Sequence, residues 1–579
     1  MFMKLILPYV KKYKLLLTID LISMMIVALA ELGIPFFIGK MIDSGVQMQD
    51  PAVLWSIYKI MLVMAAIGLS SLIAGYWTSS KITASVAYDL RKDLFEHVMT
   101  LSHEEIRRVG VPSLITRTSS DAYQIMMFLN MMLRNGMFML VLFAVSAALS
   151  MLTSMKMALI VLAGIPLIAA GAWIVYKVSG SLSQRQQTAI DRINAILRDN
   201  IYGIRVIRSL NNQQQEEKRF EKENGEYRNV STILFKLMSM TNPMFFFLMN
   251  ILTILLYYVA AGMIQNGMVQ IGELIAFMEY LFNLMMSILM FCTIFTMFPK
   301  ANVSAERIQE VLQLKSSIHP EQKGMEMEPV TSLEFDHVDF GYPEGKELIL
   351  KDISFQAKAG QKIAIVGSTG SGKSSLGKLI PRFYDVTHGV IKINGCPIQE
   401  YSLKSLRDGI GYISQKPHIF SGTIEENIAF SKEDASRQDL EKAAALAQAL
   451  SFIQERKEGF DDLISEEGTN LSGGQKQRLS IARALMKESG LYIFDDSFSA
   501  LDFATDARLR KALAPVMKKS IFLIVAQRIS TIRDADLIVV LDQGKMAGTG
   551  THQELFEGCE VYREIVLSQM SEEEAGSYV

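Results

Sequence analysis

The pattern of apolar and polar positions divides the chain in two. Apolar runs at 15–39, 60–78, 129–153, 157–176, 244–264 and 271–297 are each long enough to cross about 30 Å of hydrocarbon. They predict six membrane spans. Beyond about position 332 the runs shorten. Leu333-Glu-Phe335-Asp-His-Val338-Asp-Phe340 alternates as a strand does, Gly341-Tyr342-Pro343 ends it, and Leu348–Gln356 and Lys362–Val366 read as further strands. This second pattern predicts an α/β domain. Between the two, Lys315 to Pro329 is polar, with Ser316, Ser317, Pro320, Gly324 and Pro329, and reads as a linker. The expected organisation is an interfacial helix over 1–14, a six-span membrane domain over 15–314, a linker over 315–331, an α/β domain over 332–568 and an acidic tail over 569–579.

Length and charge agree with that division. A chain of 579 residues exceeds one hydrophobic core. Residues 1–325 hold 29 Lys+Arg against 22 Asp+Glu, and residues 326–579 hold 29 against 38, so the two halves are different kinds of object. Lys4, Lys11, Lys12 and Lys14 give the first helix a basic face suited to the cytoplasmic side of a bilayer. The stretches 41–58 and 265–272 contain no Lys or Arg, whereas 81–129 and 177–242 are basic, which places the latter two and both termini in the cytoplasm. The basic segments are too long for ordinary helix connections and are expected to continue the spans as long helices. Each contains a short apolar-polar turn, at Val111–Arg117 and Ile201–Ile207, suited to docking on a separate domain; a solvated helical hairpin is the alternative.

Ionisable residues within spans carry a cost that calls for a reason. Asp20, Glu31, Arg134 and Glu279 are expected to face a water-filled cavity or one another, with Glu31 and Glu279 deepest and candidates for substrate contact; snorkelling or interhelical pairing is the alternative. Thirty of the 35 methionines fall in residues 1–325, which suits a cavity that repacks around varied lipophilic molecules or, alternatively, plain lipid-facing packing. Cys292, Cys396 and Cys559 are too few and too widely spaced for a disulfide scaffold or C-x-x-C metal site. No cleavable signal peptide is expected at the N-terminus. A nucleic-acid partner is excluded by the spans and by the lack of a basic patch in the acidic half.

The strongest chemical signal is Gly367-Ser368-Thr369-Gly370-Ser371-Gly372-Lys373-Ser374-Ser375, which follows the apolar run Ile363–Val366 and opens a helix. Small residues let successive backbone N–H groups close around phosphate oxygens, Lys373 reaches the terminal phosphates, and the Ser374 hydroxyl can ligate Mg²⁺. Leu491-Tyr-Ile-Phe-Asp495 is a buried-strand run ending in a carboxylate, an arrangement that holds Mg²⁺ opposite such a serine. Tyr342 stands where an aromatic ring could stack on a base. Between loop and strand lie Gln415, in Tyr412-Ile-Ser-Gln415, and Leu471-Ser472-Gly473-Gly474-Gln475; Ser499-Ala-Leu501-Asp502 follows.

In these motifs and their order, behind six spans, the chain resembles the ATP-binding cassette (ABC) exporters over nearly its whole length, as a half-transporter. The resemblance implies ATP and Mg²⁺ as cofactors and two cassettes facing head to tail. Each ATP would lie between the P-loop of one chain and the signature of the other. On the P-loop side it implies Tyr342, Gly367, Ser368, Thr369, Gly370, Ser371, Gly372, Lys373, Ser374, Ser375, Gln415 and Asp495, with Ser374, Gln415 and Asp495 at the metal. On the signature side it implies Ser472, Gly473, Gly474 and Gln475. Glu467 and Gly468 resemble a loop that touches the membrane domain's inner helices.

Two positions depart from the family's pattern. The catalytic glutamate expected after Asp495 is Asp496, and the switch histidine expected before Arg528 is Gln527. Asp496 is a methylene shorter, about 1.5 Å, and a misplacement of about 1 Å can cost on the order of a hundredfold in rate. Glutamine cannot carry an imidazolium's charge. With Gln415, these are the candidate catalytic residues of a site expected to bind ATP well and cleave it slowly, tolerated variation in an active enzyme being the alternative. The intact signature serves only a partner's nucleotide. The resemblance therefore sharpens to heterodimeric multidrug exporters, whose second chain carries the missing Glu and His. The expected function is ATP-driven export of lipophilic drugs or amphiphiles across the cell membrane. Alternatives are a peptide or lipid exporter, or an ATP-gated regulatory or channel role.

Overall fold

The computed structural model describes residues 1–46, 51–318, 324–343, 345, 347–432 and 434–569, without the side chains at 45, 46, 167–169, 172, 176 and 292. Pro320, the Cys292 side chain and all but Gln569 of the predicted acidic tail lie outside the described residues. The chain packs as two units: Met1–Met99 with Val111–Gln313, and Thr100–Gly110 with Leu314–Val579.

The first unit is helical. Among the described residues, five helices are long and apolar enough to cross a membrane: Lys14–Ser44, Pro51–Thr100, Val111–Thr153, Gln213–Gln265 and Ile271–Gln313. The predicted span 157–176 falls in the helix Met155–Tyr202, whose opening Met155–Pro166 is a shorter apolar stretch. The expected loop 41–58 is mostly helix: Met41–Val46 forms a π-helical turn and the next helix starts at Pro51, where a missing N–H leaves no intrahelical bond unmade. Large apolar side chains such as Trp55, Leu62 and Trp77 point outward. Small or hydroxyl residues face inward instead, Gly39 lying backbone to backbone against Gly272.

The four ionisable residues do not pair with one another; among the described residues no ion pair joins them. Asp20 is fully buried and accepts a hydrogen bond from Thr78 Oγ1 at 3.0 Å, its second oxygen having no partner. The Arg134 guanidinium lies 4.5 Å from the centroid of the Tyr76 ring. Glu31 and Glu279 are exposed.

The second unit is built on a six-stranded sheet in the order Lys545–Gly550, Leu537–Asp542, Lys362–Gly367, Ile521–Val525, Leu491–Asp495, Ile410–Ile413. Four of its five pairings are parallel, the first being antiparallel, and the parallel strands are apolar runs because both faces are covered. Ile521–Val525 pairs with Lys362–Gly367 on one side and Leu491–Asp495 on the other, so the carboxyl ends of those strands open at one edge. Crevices at such an edge are where open α/β sheets bind ligands. A separate antiparallel sheet of Leu350–Lys358, Ser332–Phe340, His388–Ile393 and Cys396–Pro397 includes the first two predicted strands, the second shifted by two residues, while the third, Lys362–Val366, lies in the six-stranded sheet.

The first docking turn lies earlier than predicted. Val111–Thr116 is the first turn of the helix that runs to Thr153, with Pro112 at a position that needs no donor. The element packed into the second unit is instead the helix His103–Val109. Ser102 caps it in a reciprocal box with Glu105, and Gly110, at φ +82°, ends it in a conformation that L side chains rarely adopt. Glu105 also accepts from the Ser317 N–H at 3.0 Å, and the His103 ring stacks on Phe383 with centroids 6.0 Å apart. At the second predicted turn the chain breaks at Gly203 and resumes as Ile204–Ser209, leaving Ile201, Tyr202 and Val206 exposed.

Candidate functional site

The glycine-rich loop starts where the strand Lys362–Gly367 ends and stops where the helix Lys373–Leu379 begins. Its shape needs glycine at Gly372, where φ is +96° and a Cβ would come within 2.7 Å of Leu350 Cδ2. Lys373 Nζ folds back to donate to the carbonyls of Gly367 at 2.9 Å and Ser368 at 2.6 Å. Burial lowers its pKa, and the carboxylates of Asp496 and Asp495 oppose that shift. The ammonium therefore stands over the loop against two acids at the end of the strand Leu491–Asp495, two strands away in the sheet.

Those acids differ in their surroundings. Asp495 is buried, accepting from Ser374 Oγ at 2.7 Å on one oxygen and from the Tyr412 hydroxyl at 3.3 Å on the other. Asp496 sits at φ +48°, its N–H donating to the Val525 carbonyl at 2.9 Å, and its Oδ2 accepts from Gln415 Nε2 at 3.1 Å. Burial raises the Asp496 pKa and the neighbouring Asp495 adds to the rise, while Gln415 and Lys373 oppose it. Positive φ at a non-glycine residue is a strained conformation, here at the point where the strand leaves the sheet.

A cleft of about 310 Å³ brings together Thr369, Gly370, Gly372, Lys373, Ser374, Ser375, Gln415, Asp496 and Gln527, with Ile349 and Val525 as its apolar wall. Gly367, Ser368, Ser371 and Asp495 are not part of this lining. Tyr342 stands beside it, its hydroxyl 3.1 Å from Ser375 Oγ, its ring edge-on to Phe340 and Tyr384, and the Arg107 guanidinium 5.7 Å from its centroid. Ser472, Gly473, Gly474 and Gln475 do not line the cleft. They open the helix Gly473–Leu485, where Ser472 Oγ accepts from the Gln475 N–H at 3.3 Å and Gln475 Oε1 accepts from the Ser472 N–H at 2.9 Å.

The oxygens of Ser374 and Asp495 converge within hydrogen-bond distance, and the described residues contain no cluster of three or more His, Cys, Asp or Glu side chains placed to hold a metal. So sparse a set of hard oxygen donors fits Mg²⁺, which keeps several waters and shares phosphate oxygens. Three structural contributors escaped the motif reading. Ile349 walls the cleft, Tyr412 holds Asp495, and Arg528 donates to the carbonyls of Ser499 at 3.0 Å and Leu501 at 3.2 Å, tying the Gln527 segment to that loop. Tyr412 lies three residues before Gln415, on a strand that pairs with Leu491–Asp495.

Family models for the ABC transporter transmembrane region and the ABC transporter match residues 17–289 and 350–499. The ABC transporter ATP-binding protein YfiB of Bacillus subtilis is 34% identical over 98% of each chain. The putative multidrug export ATP-binding/permease protein YgaD of the same species is 30% identical over 98% of each. The ATP-dependent lipid A-core flippase of Haemophilus influenzae is 30% identical over 97% of this chain and 96% of its own. The chain belongs to the ABC transporter family: it is an exporter-type half-transporter, a multi-pass helical membrane domain fused to an α/β ATP-binding domain.

Proposed function

We propose that this half-transporter binds MgATP in its own cleft, cleaves it slowly, and works beside a different half-transporter whose P-loop carries most of the turnover. The observation that carries the reading is Asp496 at the position that follows the strand-end aspartate, its short carboxylate held by Gln415 at 3.1 Å, with Gln527 on the same cleft wall. Neither side chain matches what the family uses there for hydrolysis. Ser374, Asp495 and Gln415 would hold Mg²⁺, which when bound neutralises phosphate charge. Lys373 swings from its two loop carbonyls to the terminal phosphates, and Tyr342 offers a ring face to the base. The signature helix, its cap closed by Ser472 and Gln475, keeps Gly473 and Gly474 for the partner's nucleotide.

In the membrane the helix Met155–Tyr202 supplies a sixth span over 157–176, and both termini lie in the cytoplasm. The organisation in this reading is 1–14, 15–314, 315–331, 332–568 and 569–579, with 100–110 grouped with the ATP-binding part. Closure of two cassettes on ATP flips the helices from inward to outward facing. Lipophilic drugs or similar amphiphiles are the favoured cargo, supported by the methionine-rich membrane half and the multidrug-export relative. A lipid cargo is the second reading, favoured by the flippase relative.

The test is ATPase activity of the purified chain alone and with a candidate partner that has Glu and His at the two altered positions. The expected result is weak hydrolysis alone and strong hydrolysis by the pair, with dye uptake into inverted vesicles only for the pair. Equal activity of the lone chain overturns the asymmetric reading.

A further inference from the structure

Two ring contacts and a hydrogen bond run from the helix His103–Val109 to the strand-end carboxylate. His103 stacks on Phe383 with centroids 6.0 Å apart and planes at 23°. Phe383 meets Tyr412 edge to face at 5.4 Å and 85°. Tyr412 then donates to Asp495 Oδ2 at 3.3 Å, the bond that complements Ser374 on the other oxygen at 2.7 Å. Every member belongs to the second unit. Phe383 is also covered by the Arg407 guanidinium at 5.6 Å, so the middle ring is held from two sides.

The chemistry of the end groups suits fixed roles. The Tyr412 hydroxyl faces a carboxylate oxygen, which only accepts, so the phenol donates. Burial, with Lys378 and Arg107 nearby, lowers the pKa of His103, so it stacks as a neutral ring. A phenylalanine at 412 would fill the same space against Phe383 and lack only the donor.

We propose that Tyr412 is a positioning residue that orients the Asp495 carboxylate for the divalent cation accompanying ATP, and that the stack of His103 on Phe383 keeps Tyr412 in place. The inference rests on the reading of Asp495 as a metal-holding residue. Groups that orient a metal-binding carboxylate govern metal affinity without touching the metal, and their loss typically costs 10–100-fold in it. The helix His103–Val109 thereby gains a mechanical link to the metal end of the cleft, while its Arg107 covers Tyr342 at the other end.

Spatial continuity alone does not establish coupling, so the test is a double-mutant cycle read on metal binding rather than turnover. The full chain in lipid nanodiscs is titrated with Mn²⁺ in the presence of ATP, and bound metal is followed by electron paramagnetic resonance. Tyr412→Phe is expected to raise the half-saturating Mn²⁺ about tenfold while leaving ATP binding in EDTA unchanged. His103→Ala shifts it in the same direction, His103→Phe restores it by keeping a stacking ring, and His103→Ala with Tyr412→Phe shifts it no further than Tyr412→Phe alone. An unshifted Tyr412→Phe protein, or effects of His103 and Tyr412 that multiply independently, overturns the inference. A wild-type chain that binds ATP yet holds no Mn²⁺ with it overturns the metal reading as well.

Discussion

Gln415 Nε2 donates to Asp496 Oδ2 at 3.1 Å, joining the end of one strand to the residue that follows its neighbour. The bond ties the shorter carboxylate to the wall of the cleft, where a longer side chain would reach further toward the nucleotide.

Lengthening that side chain and restoring the imidazole should therefore speed the chain's own site. Asp496→Glu with Gln527→His is expected to raise ATP turnover there by at least about tenfold. The measurement is phosphate release by a pair whose partner site is silenced. No increase would place the slow step outside these two positions.

Lys373 and Gly474 should act on different nucleotides. Lys373→Ala removes a charge-assisted contact worth about 2 kcal/mol, roughly thirtyfold in ATP affinity at the chain's own cleft. At Gly474 a new Cβ would sit 3.4 Å from the Ala500 carbonyl, a contact the fold accepts. Gly474→Asp should thus leave ATP binding by this chain intact and lower the partner's hydrolysis at least about tenfold. Photolabelling with an ATP analogue, chain by chain, distinguishes the two; swapped phenotypes would reverse the site assignment.

The cap of the helix His103–Val109 predicts an acid-sensitive contact. Burial by itself lifts the Glu105 carboxyl, but bonds from Ser102 and the Ser317 N–H outweigh it and hold the pKa below its ordinary value. A depressed folded-state pKa contributes stability above the unfolded value of about 4.3, lost as pH falls through the folded one. Glu105→Gln should lower the melting temperature at neutral pH and flatten its decline in acid, followed by intrinsic fluorescence. An unchanged acid limb would remove Glu105 as its source.

Within the helical unit, Thr78→Val leaves the buried Asp20 without the one side-chain bond it has among the described residues. The expected cost is about 1–3 kcal/mol. Adding Asp20→Leu should recover most of it, because removing both partners leaves no orphaned group. Thermal unfolding in detergent measures both proteins, and a Thr78→Val protein as stable as wild type would mean that Asp20 finds another donor.

The glycine-rich loop was legible because its chemistry is local: Gly372 must take a positive φ, and Lys373 and Ser374 follow at fixed offsets. The strand ending at Asp495 was legible because a fully covered parallel strand reads as an unbroken apolar run. The docking element was misplaced by about one turn's worth of signals. Val111–Arg117 read as a turn although it opens a helix whose first turn accepts Pro112, and the Ser102–Glu105 box just upstream was the better mark. Tyr412 and Arg528 were out of reach of motif reading because their partners are distant in sequence, and only the folded sheet brings a tyrosine beside Asp495 or an arginine to the carbonyls of Ser499 and Leu501.

The helix His103–Val109 is separated by some two hundred residues of the other unit from the linker residue Ser317 that it bonds. A soluble fragment cut at the linker would consequently lack a piece of its own wall. Phe383 and Tyr384 would lose the cover of His103, and such a truncate should be adhesive and poorly behaved until a peptide spanning 100–110 is supplied in trans or grafted back.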